Sequence, residues 1–149
     1  MSNTICLNMI VKDESHIIEE TLNNITSYID LDYWVISDTG STDNTREIIK
    51  SFFEKKKIKG ELYEDSWKDF GHNRTVALNH AYNKSDYIFL FDADDLIMGN
   101  LKINKKNLSH DRYDLRIGKD FTYLRPLLFT NRKKWKYIGV VHEYLSPIE

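Results

Sequence analysis

The sequence predicts a single α/β domain over residues 1–149, with a mainly parallel central sheet between layers of helices and a small antiparallel extension. Short apolar strands alternate with amphipathic helical segments as far as residue 91, which is typical of a parallel sheet with crossover helices. After Leu101 three strand-like segments follow one another without helices between them, which favours antiparallel pairing. These segments lie at residues 112–118, 120–129 and 136–145.

Four strands are predicted in the first part of the chain. Each is short, apolar and rich in branched or aromatic residues, as expected of strands buried on both faces of a sheet. They lie at residues 4–11, 33–37, 61–64 and 87–91.

The first predicted helix covers residues 12–29 and is supported by apolar residues at helical spacing. We expect Asp13 and Glu14 to lie in its first turn, where the helix dipole favours negative charge.

The second and third helices are predicted within residues 38–56 and 71–83. Ser41 or Asn44 is expected to cap the second helix, because Glu47 follows Asn44 at the spacing of a capping box.

The composition argues against several classes of protein. A formal net charge of -2 gives no general signature of polyanion binding, so we expect no nucleic-acid partner. No apolar run approaches the ~18 residues of a membrane span, and no signal peptide precedes the first strand. The single cysteine, Cys6, excludes an internal disulfide. We therefore expect a cytoplasmic protein without a transmembrane segment.

Polar clusters follow three of the predicted strands, at residues 12–14, 38–43 and 92–95. The carboxyl ends of parallel strands lie at one edge of the sheet, where ligands bind in such folds. Asp92 and Asp94 form a D-x-D pair whose carboxylates can face the same ligand. Mg²⁺ and Mn²⁺ prefer such oxygen ligands, so this edge is a candidate metal site.

Two further pairs carry suitable chemistry. Asn73 and Arg74 begin the third helix, and arginine offers a fixed fork of donors to a phosphate or a carboxylate. His142 and Glu143 follow a late strand and offer a nitrogen ligand and a base. Taken alone, each motif also fits a solvated loop or an ordinary capped turn.

Five segments in this order resemble the motifs of the family 2 glycosyltransferases of GT-A fold. They are MIVKDE (9–14), DTGSTDNT (38–45), FGHNR (70–74), FDADD (91–95) and GVVHE (139–143). Each is modest alone, but five in register are specific. The resemblance implies a GT-A three-layer sandwich, with a nucleotide-binding half at about 1–100 and a shorter metal and acceptor half at about 101–149.

The resemblance also implies an activity. It is that of a metal-dependent transferase, of hexosyl or N-acetylhexosaminyl type, with Mn²⁺ or Mg²⁺ as cofactor. Such an enzyme moves a sugar from a nucleotide-sugar donor, here expected to be a UDP-sugar, to a glycan, protein or lipid acceptor with inversion.

Residue by residue, the resemblance assigns most of the donor site. Asp38 matches the position that reads the nucleotide, Arg74 a contact to the base or diphosphate, and Asp92 the carboxylate near the ribose. Lys12 and Asn73, from two of the same motifs, are expected to bind substrate as well.

The metal site and the base come from the last two motifs. Asp94 matches the metal ligand, and His142 matches the late histidine that completes the metal or diphosphate site. Glu143 is the candidate base, because an inverting transfer needs a carboxylate opposite the leaving diphosphate.

Two other functions remain open. A noncatalytic nucleotide-sugar-binding module would share the site without turnover, and release of nucleotide from the donor separates the two. A nucleotidyltransferase would share the sheet and the metal, but it usually carries a Gly-rich loop where this chain has IVKDES. DADDL is also similar to a phosphatase motif, but that motif follows the first strand and has Thr or Val in place of Leu96.

Overall fold

The computed structural model describes residues 2–97, 101–117, 123–138 and 144–147. Its helices are α1 (Ile18–Tyr28), α2 (Thr45–Lys56) and α3 (Phe70–Ala81). Its strands are β1 (Ile5–Val11), β2 (Tyr33–Asp38), β3 (Gly60–Glu64), β4 (Tyr87–Leu90), β5 (Arg112–Ile117), β6 (Tyr123–Thr130), β7 (Trp135–Ile138) and β8 (Tyr144–Pro147). No helix among these residues is long and apolar enough to cross a membrane.

The main sheet has six strands in the order β3-β2-β1-β4-β6-β5. The first four are parallel, whereas β6 pairs antiparallel with both β4 and β5. The predicted parallel core and antiparallel extension are therefore confirmed. Because the chain builds outward from β1 to β3 and then crosses to β4, the order of strands reverses between β1 and β4. That is the position at which open α/β sheets bind ligands.

Helices cover both faces of the sheet. The side chains of β1 point alternately to the two faces, so each face has apolar residues for a helix to cover. Leu7 and Met9 belong to the apolar cluster that contains the buried faces of α1 and α2. Cys6 belongs to the opposite cluster, which Leu78 and Ala81 of α3 complete. This gives three layers, and it explains why β1 reads as a continuous apolar run.

The predicted start of the first helix was wrong. α1 begins at Ile18, and Asp13 lies in the preceding loop with a left-handed φ of 52°. The Asp13 carboxylate accepts a hydrogen bond from the backbone N–H of Thr42 at 2.7 Å. The position of Asp13 is therefore determined by its contact with the loop that follows β2. The dipole of α1 does not determine it.

Neither predicted cap of the second helix makes a capping bond. Asn44 occupies the N-cap position of α2 without a side-chain hydrogen bond. Asp43 takes that role, since its carboxylate accepts the backbone N–H of Thr45 at 3.0 Å. The hydroxyl of Ser41 instead accepts the backbone N–H of Asp13 at 2.8 Å.

The single strand predicted at 136–145 was also wrong. β7 and β8 are two strands that pair antiparallel, with Ile138 opposite Tyr144. Trp135 fixes the start of β7, because its indole N–H donates to the carbonyl of Thr130 at 2.8 Å and its ring packs on Phe129.

Candidate active site

A cavity of about 470 Å³ lies at the carboxyl ends of β1, β2 and β4. This is the edge at which the polar clusters were predicted to converge. The lining residues are Ile10, Val11, Lys12, Glu14, Thr39, Trp67, Phe70, Arg74, Asp92, Ala93 and Asp94. The structure thus brings four of the predicted site residues, Lys12, Arg74, Asp92 and Asp94, to one cavity.

The carboxylate cluster consists of Asp92, Asp94 and Asp95, directly after β4. One oxygen of each lies within 4.8 Å of the other two. Asp94 is exposed, and the other two are half-buried. Three hard oxygen donors at this separation fit a small divalent cation, which would relieve their mutual repulsion. Asp95 was not among the predicted ligands, although its place in the acidic run was a signal.

Arg74 holds one member of this cluster. Its side chain extends from near the start of α3, is 2% exposed, and forms an ion pair with the Asp92 carboxylate. A buried guanidinium needs a negative partner, and Asp92 supplies it. The same guanidinium lies 5.1 Å from the centre of the Phe70 ring. The position of Asp92 is therefore fixed from the side of α3.

Glu14 reaches the cavity from the loop between β1 and α1, next to Lys12 in the lining. Its backbone N–H donates to the Thr45 hydroxyl at 2.9 Å, which ties this loop to the start of α2. Burial raises the pKa of the Glu14 carboxyl above its ordinary value, and the negative charge of Asp94 adds to the shift. The sequence placed Glu14 in a motif but gave it no role in the site.

Asp38 lies fully buried at the end of β2 and is not one of the residues that line the cavity. Its Oδ1 accepts the backbone N–H groups of Gly40 and Ser41 at 2.9 and 2.8 Å. Arg46 of α2 lies 3.3 Å from the same oxygen. Oδ2 is buried without a hydrogen-bond partner among the described residues. The ion pair joins Asp38 to Arg46, eight residues later in the chain. No sequence motif predicted it.

Asn73 is also buried and does not line the cavity. Its amide carbonyl accepts the backbone N–H of Lys68 at 2.9 Å, and its NH₂ donates to the carbonyl of Ser66 at 3.0 Å. These bonds brace the segment between β3 and α3, which carries Trp67. In the structure Asn73 therefore supports the wall of the cavity from behind.

His142 and Glu143 lie outside the described residues. Their assignments as metal ligand and base stay predictions.

The family described as "Glycosyl transferase family 2" matches residues 6–137. The SPbeta prophage-derived glycosyltransferase SunS of Bacillus subtilis (strain 168) is 36% identical over 93 residues, which are 62% of this chain. The chain spans 20% of the length of that relative.

Two solved structures share the fold. S. aureus TarS 1-349 in complex with UDP matches with a TM-score of 0.58 and 16% identity, over 86% of this chain and 47% of that one. The mannosyltransferase PcManGT from Pyrobaculum calidifontis, in complex with GDP-Man and Mn2+, matches with a TM-score of 0.53 and 24% identity, over 64% of this chain and 29% of that one. The expected GT-A architecture is confirmed.

Proposed function

This chain belongs to glycosyl transferase family 2, and from that premise we propose that it transfers a sugar from a UDP-sugar to an acceptor. We propose further that a divalent cation, Mn²⁺ or Mg²⁺, binds at the carboxylate cluster and holds the donor diphosphate. The main support for this proposal is that three carboxylates lie within 4.8 Å of one another, next to a cavity large enough for a ligand.

The donor set supports the metal. Asp94 and Asp95 offer carboxylate oxygens to the cation. Asp92 is held in place beside them by its ion pair with Arg74. When bound, the cation would supply positive charge for the leaving diphosphate. Lys12, which is exposed and lines the same cavity, adds a second positive charge for the phosphate oxygens.

The choice of donor draws support from the solved relatives. S. aureus TarS 1-349 has been solved with UDP and with UDP-GlcNAc, and PcManGT with GDP-Man and Mn2+. Their common ligand is a nucleoside diphosphate, and we assign UDP to this chain. Asp38 stays the proposed reader of the base, and because it does not line the cavity, its buried Oδ2 would accept an N–H of the base only after the side chain turns toward the cavity.

The transfer itself is proposed as a single inverting displacement. The acceptor oxygen bonds to the anomeric carbon while the bond from that carbon to the diphosphate oxygen breaks. Glu143 takes the acceptor proton, which is typically worth ~10²–10⁴-fold in rate, and His142 adds a ligand beside the diphosphate. Free nucleoside diphosphate is the second product.

Thermal unfolding with nucleotides tests the site. UDP with Mn²⁺ should stabilise the wild type by about 2.7 kcal/mol at a hundredfold excess over its dissociation constant. UDP without metal should give little of that gain. Asp94→Ala should lose most of it, because the variant lacks the exposed ligand of the cluster. GDP, CMP and dTDP in parallel rank the bases.

The matched control is Asp30→Ala, which removes an exposed carboxylate next to Lys105, far from the cavity lining. This variant should respond to UDP and Mn²⁺ as the wild type does. An equal response of Asp94→Ala and the wild type would exclude the proposed metal site. Release of UDP from UDP-GlcNAc over time then separates a transferase from a protein that only binds the donor.

A further inference from the structure

Lysine and arginine side chains are concentrated at the edge of the main sheet that lies opposite the cavity. Because β1 to β4 are parallel, their carboxyl ends meet at the cavity and their amino ends meet at this other edge. Three basic runs lie there together with Lys84, at residues 55–59, 102–106 and 132–134. This basic edge holds more than half of the 21 lysines and arginines of the chain.

The backbone contacts place the three runs side by side. Thr130, at the end of β6, is paired with Tyr87 at the start of β4, so the last run lies next to the amino end of β4. The backbone N–H of Asn3 donates to the carbonyl of Lys105 at 3.1 Å, which places the second run next to β1. The first run connects α2 to β3. From β3 to β6 the basic edge is four strand spacings wide, or roughly 19 Å.

Acidic side chains neutralise only part of the basic edge. Three of its lysines form ion pairs: Lys105 with Asp30 and Asp32, Lys133 with Asp111, and Lys84 with Glu61. The other lysines and arginines of the basic edge are exposed and form no ion pair with a carboxylate of the described residues. Because the formal net charge of the chain is -2, negative charge elsewhere balances this excess. The basic edge is therefore a positive surface on a chain that is slightly negative as a whole.

A hollow of about 580 Å³ lies in the basic edge, beside the start of β1. Lys102, Lys105 and Lys106 line it, together with Asp30, which is paired with Lys105. Lys102 and Lys106 are exposed, and their ammonium groups can donate to the oxygens of a phosphate. The hollow therefore has the size and the charge to receive a phosphate headgroup.

The basic edge lacks the features by which proteins hold nucleic acids. Single strands are bound by exposed aromatic rings, and duplexes are read by a helix or a strand that enters a groove. No tryptophan, tyrosine or phenylalanine among the described residues is exposed at this edge, which consists of loops and the ends of helices and strands. A broad array of lysines without exposed rings instead fits the headgroups of an anionic membrane, which attract basic segments by charge.

We propose that the basic edge docks on the surface of a membrane that contains anionic lipids. Its ammonium and guanidinium groups pair with the phosphates and carboxylates of the headgroups. The docked protein turns its cavity away from the bilayer, because the cavity and the basic edge lie at opposite edges of the sheet. The proposal concerns a second surface and does not depend on which ligand the cavity takes.

Sedimentation with vesicles tests the proposal. The 149-residue chain should sediment with phosphatidylcholine vesicles that contain about 30% phosphatidylserine, and not with vesicles of phosphatidylcholine alone. NaCl should release the bound protein as its concentration rises from about 0.05 to 0.5 M, because salt screens the attraction. Lys59→Glu and Arg132→Glu, at the two ends of the basic edge, should each bind about tenfold more weakly, and the double variant more weakly still.

The matched control is Lys68→Glu. Lys59 precedes β3 and Lys68 follows it, so the two exposed lysines lie near opposite ends of one strand. The two variants have the same net charge, but the charge at residue 68 lies more than a Debye length of about 10 Å from the membrane. Lys68→Glu should therefore bind the vesicles as the wild type does. All variants should keep the Tm of the wild type, which checks that each is folded.

Several outcomes would overturn the proposal. They are equal sedimentation with phosphatidylcholine alone, no sedimentation with the anionic vesicles at low salt, and equal losses in Lys59→Glu and Lys68→Glu. A DNA duplex that binds more tightly than the vesicles at equal phosphate concentration would assign the basic edge to nucleic acid. Inorganic phosphate that releases the protein more effectively than NaCl of equal ionic strength would assign it to free phosphate.

Discussion

Arg74 shows how a single residue sets the electrostatics of the site. Arg74 is 1% exposed, and its guanidinium would be costly to bury alone, but the Asp92 carboxylate offsets that cost. One of three crowded carboxylates is thereby neutralised within the protein. Asp94 is the exposed member of the cluster. This division explains why Asp94 is the residue whose removal should weaken metal binding most directly.

Glu61 provides a pH-dependent contribution to stability at the residue scale. Its carboxylate accepts hydrogen bonds from the hydroxyls of Tyr63 and Tyr33, and Lys84 lies 3.1 Å away. The bonds from Tyr63 and then Tyr33 lower the pKa of Glu61 from 4.5 to about 2. The same bond from Tyr33 raises the pKa of that phenol to about 12.

A depressed carboxyl pKa stabilises the fold above the unfolded pKa, and this contribution is lost as the pH falls from 4.5 to about 2. We therefore expect Glu61→Gln to be less stable than the wild type at neutral pH and to lose less stability across that interval. Urea unfolding at several pH values measures this. Glu54→Gln, on the exposed end of α2, is the control, and parallel curves for Glu61→Gln and the wild type would contradict the argument.

At the scale of elements, β2 and β3 meet through a tight contact between Trp34 and Gly60, which are paired in the sheet. A Cβ at Gly60 would lie 2.3 Å from the indole ring. The ring cannot easily move away, because it stacks on Phe53 at 4.6 Å and its N–H donates to the carbonyl of Ile58. Glycine is therefore required at this position for steric reasons.

Gly60→Ala should destabilise the protein by about 1–3 kcal/mol, the usual cost of overpacking. Calorimetry measures the loss as a lower Tm. In a Trp34→Leu background the same substitution should cost much less, because the clash is removed. Lys59→Ala, at the exposed preceding residue, should leave the Tm nearly unchanged. An equal cost of Gly60→Ala in both backgrounds would argue against the contact as its cause.

The sequence predicted well those helices and strands that are determined by the pattern of buried side chains within the element itself. β1 to β4 and the three helices all appear in the predicted order, and apart from the start of α1 they lie within the predicted segments or close to them, because burial repeats at the period of each element. The errors concern the starts of α1 and α2, where contacts within and between loops determine the local structure. Asp13 is held by Thr42, and Asp43 in place of Asn44 caps α2. Such contacts leave no periodic signal.

The candidate site follows the same division. Lys12, Arg74, Asp92 and Asp94 reach the cavity because strand ends and a helix start carry them there. Asp38 and Asn73 share those motifs, yet their side chains bond to neighbouring backbone. A motif places a residue near the site, but rotamer and burial decide whether it faces the cavity, and neither is visible in the sequence.

At the scale of the whole molecule, Cys6 lies in β1, near the middle of the main sheet, on the face that α3 covers. Burial raises the pKa of its thiol from 9.0 to about 12. The neutral thiol is therefore favoured in the fold, and this contribution to stability is lost as the pH rises from 9.0 to about 12.

We expect the native protein to react with a thiol reagent near pH 8 only as fast as it unfolds, because Cys6 is fully buried in the centre of the sheet. The rate of modification should equal the unfolding rate from stopped-flow dilution into urea. Peptide thiol of the same local sequence is the control for intrinsic reactivity. A native thiol that reacts as fast as this peptide would show that the two faces of the sheet open separately.

The burial of Cys6 also has a practical use. Any cysteine added to the surface becomes the unique attachment point for a dye or a spin label, with no native residue to remove first. Ser66→Cys, exposed beside Trp67, would set such a reporter at the mouth of the cavity. Arrival and departure of small molecules there could then be followed one chain at a time.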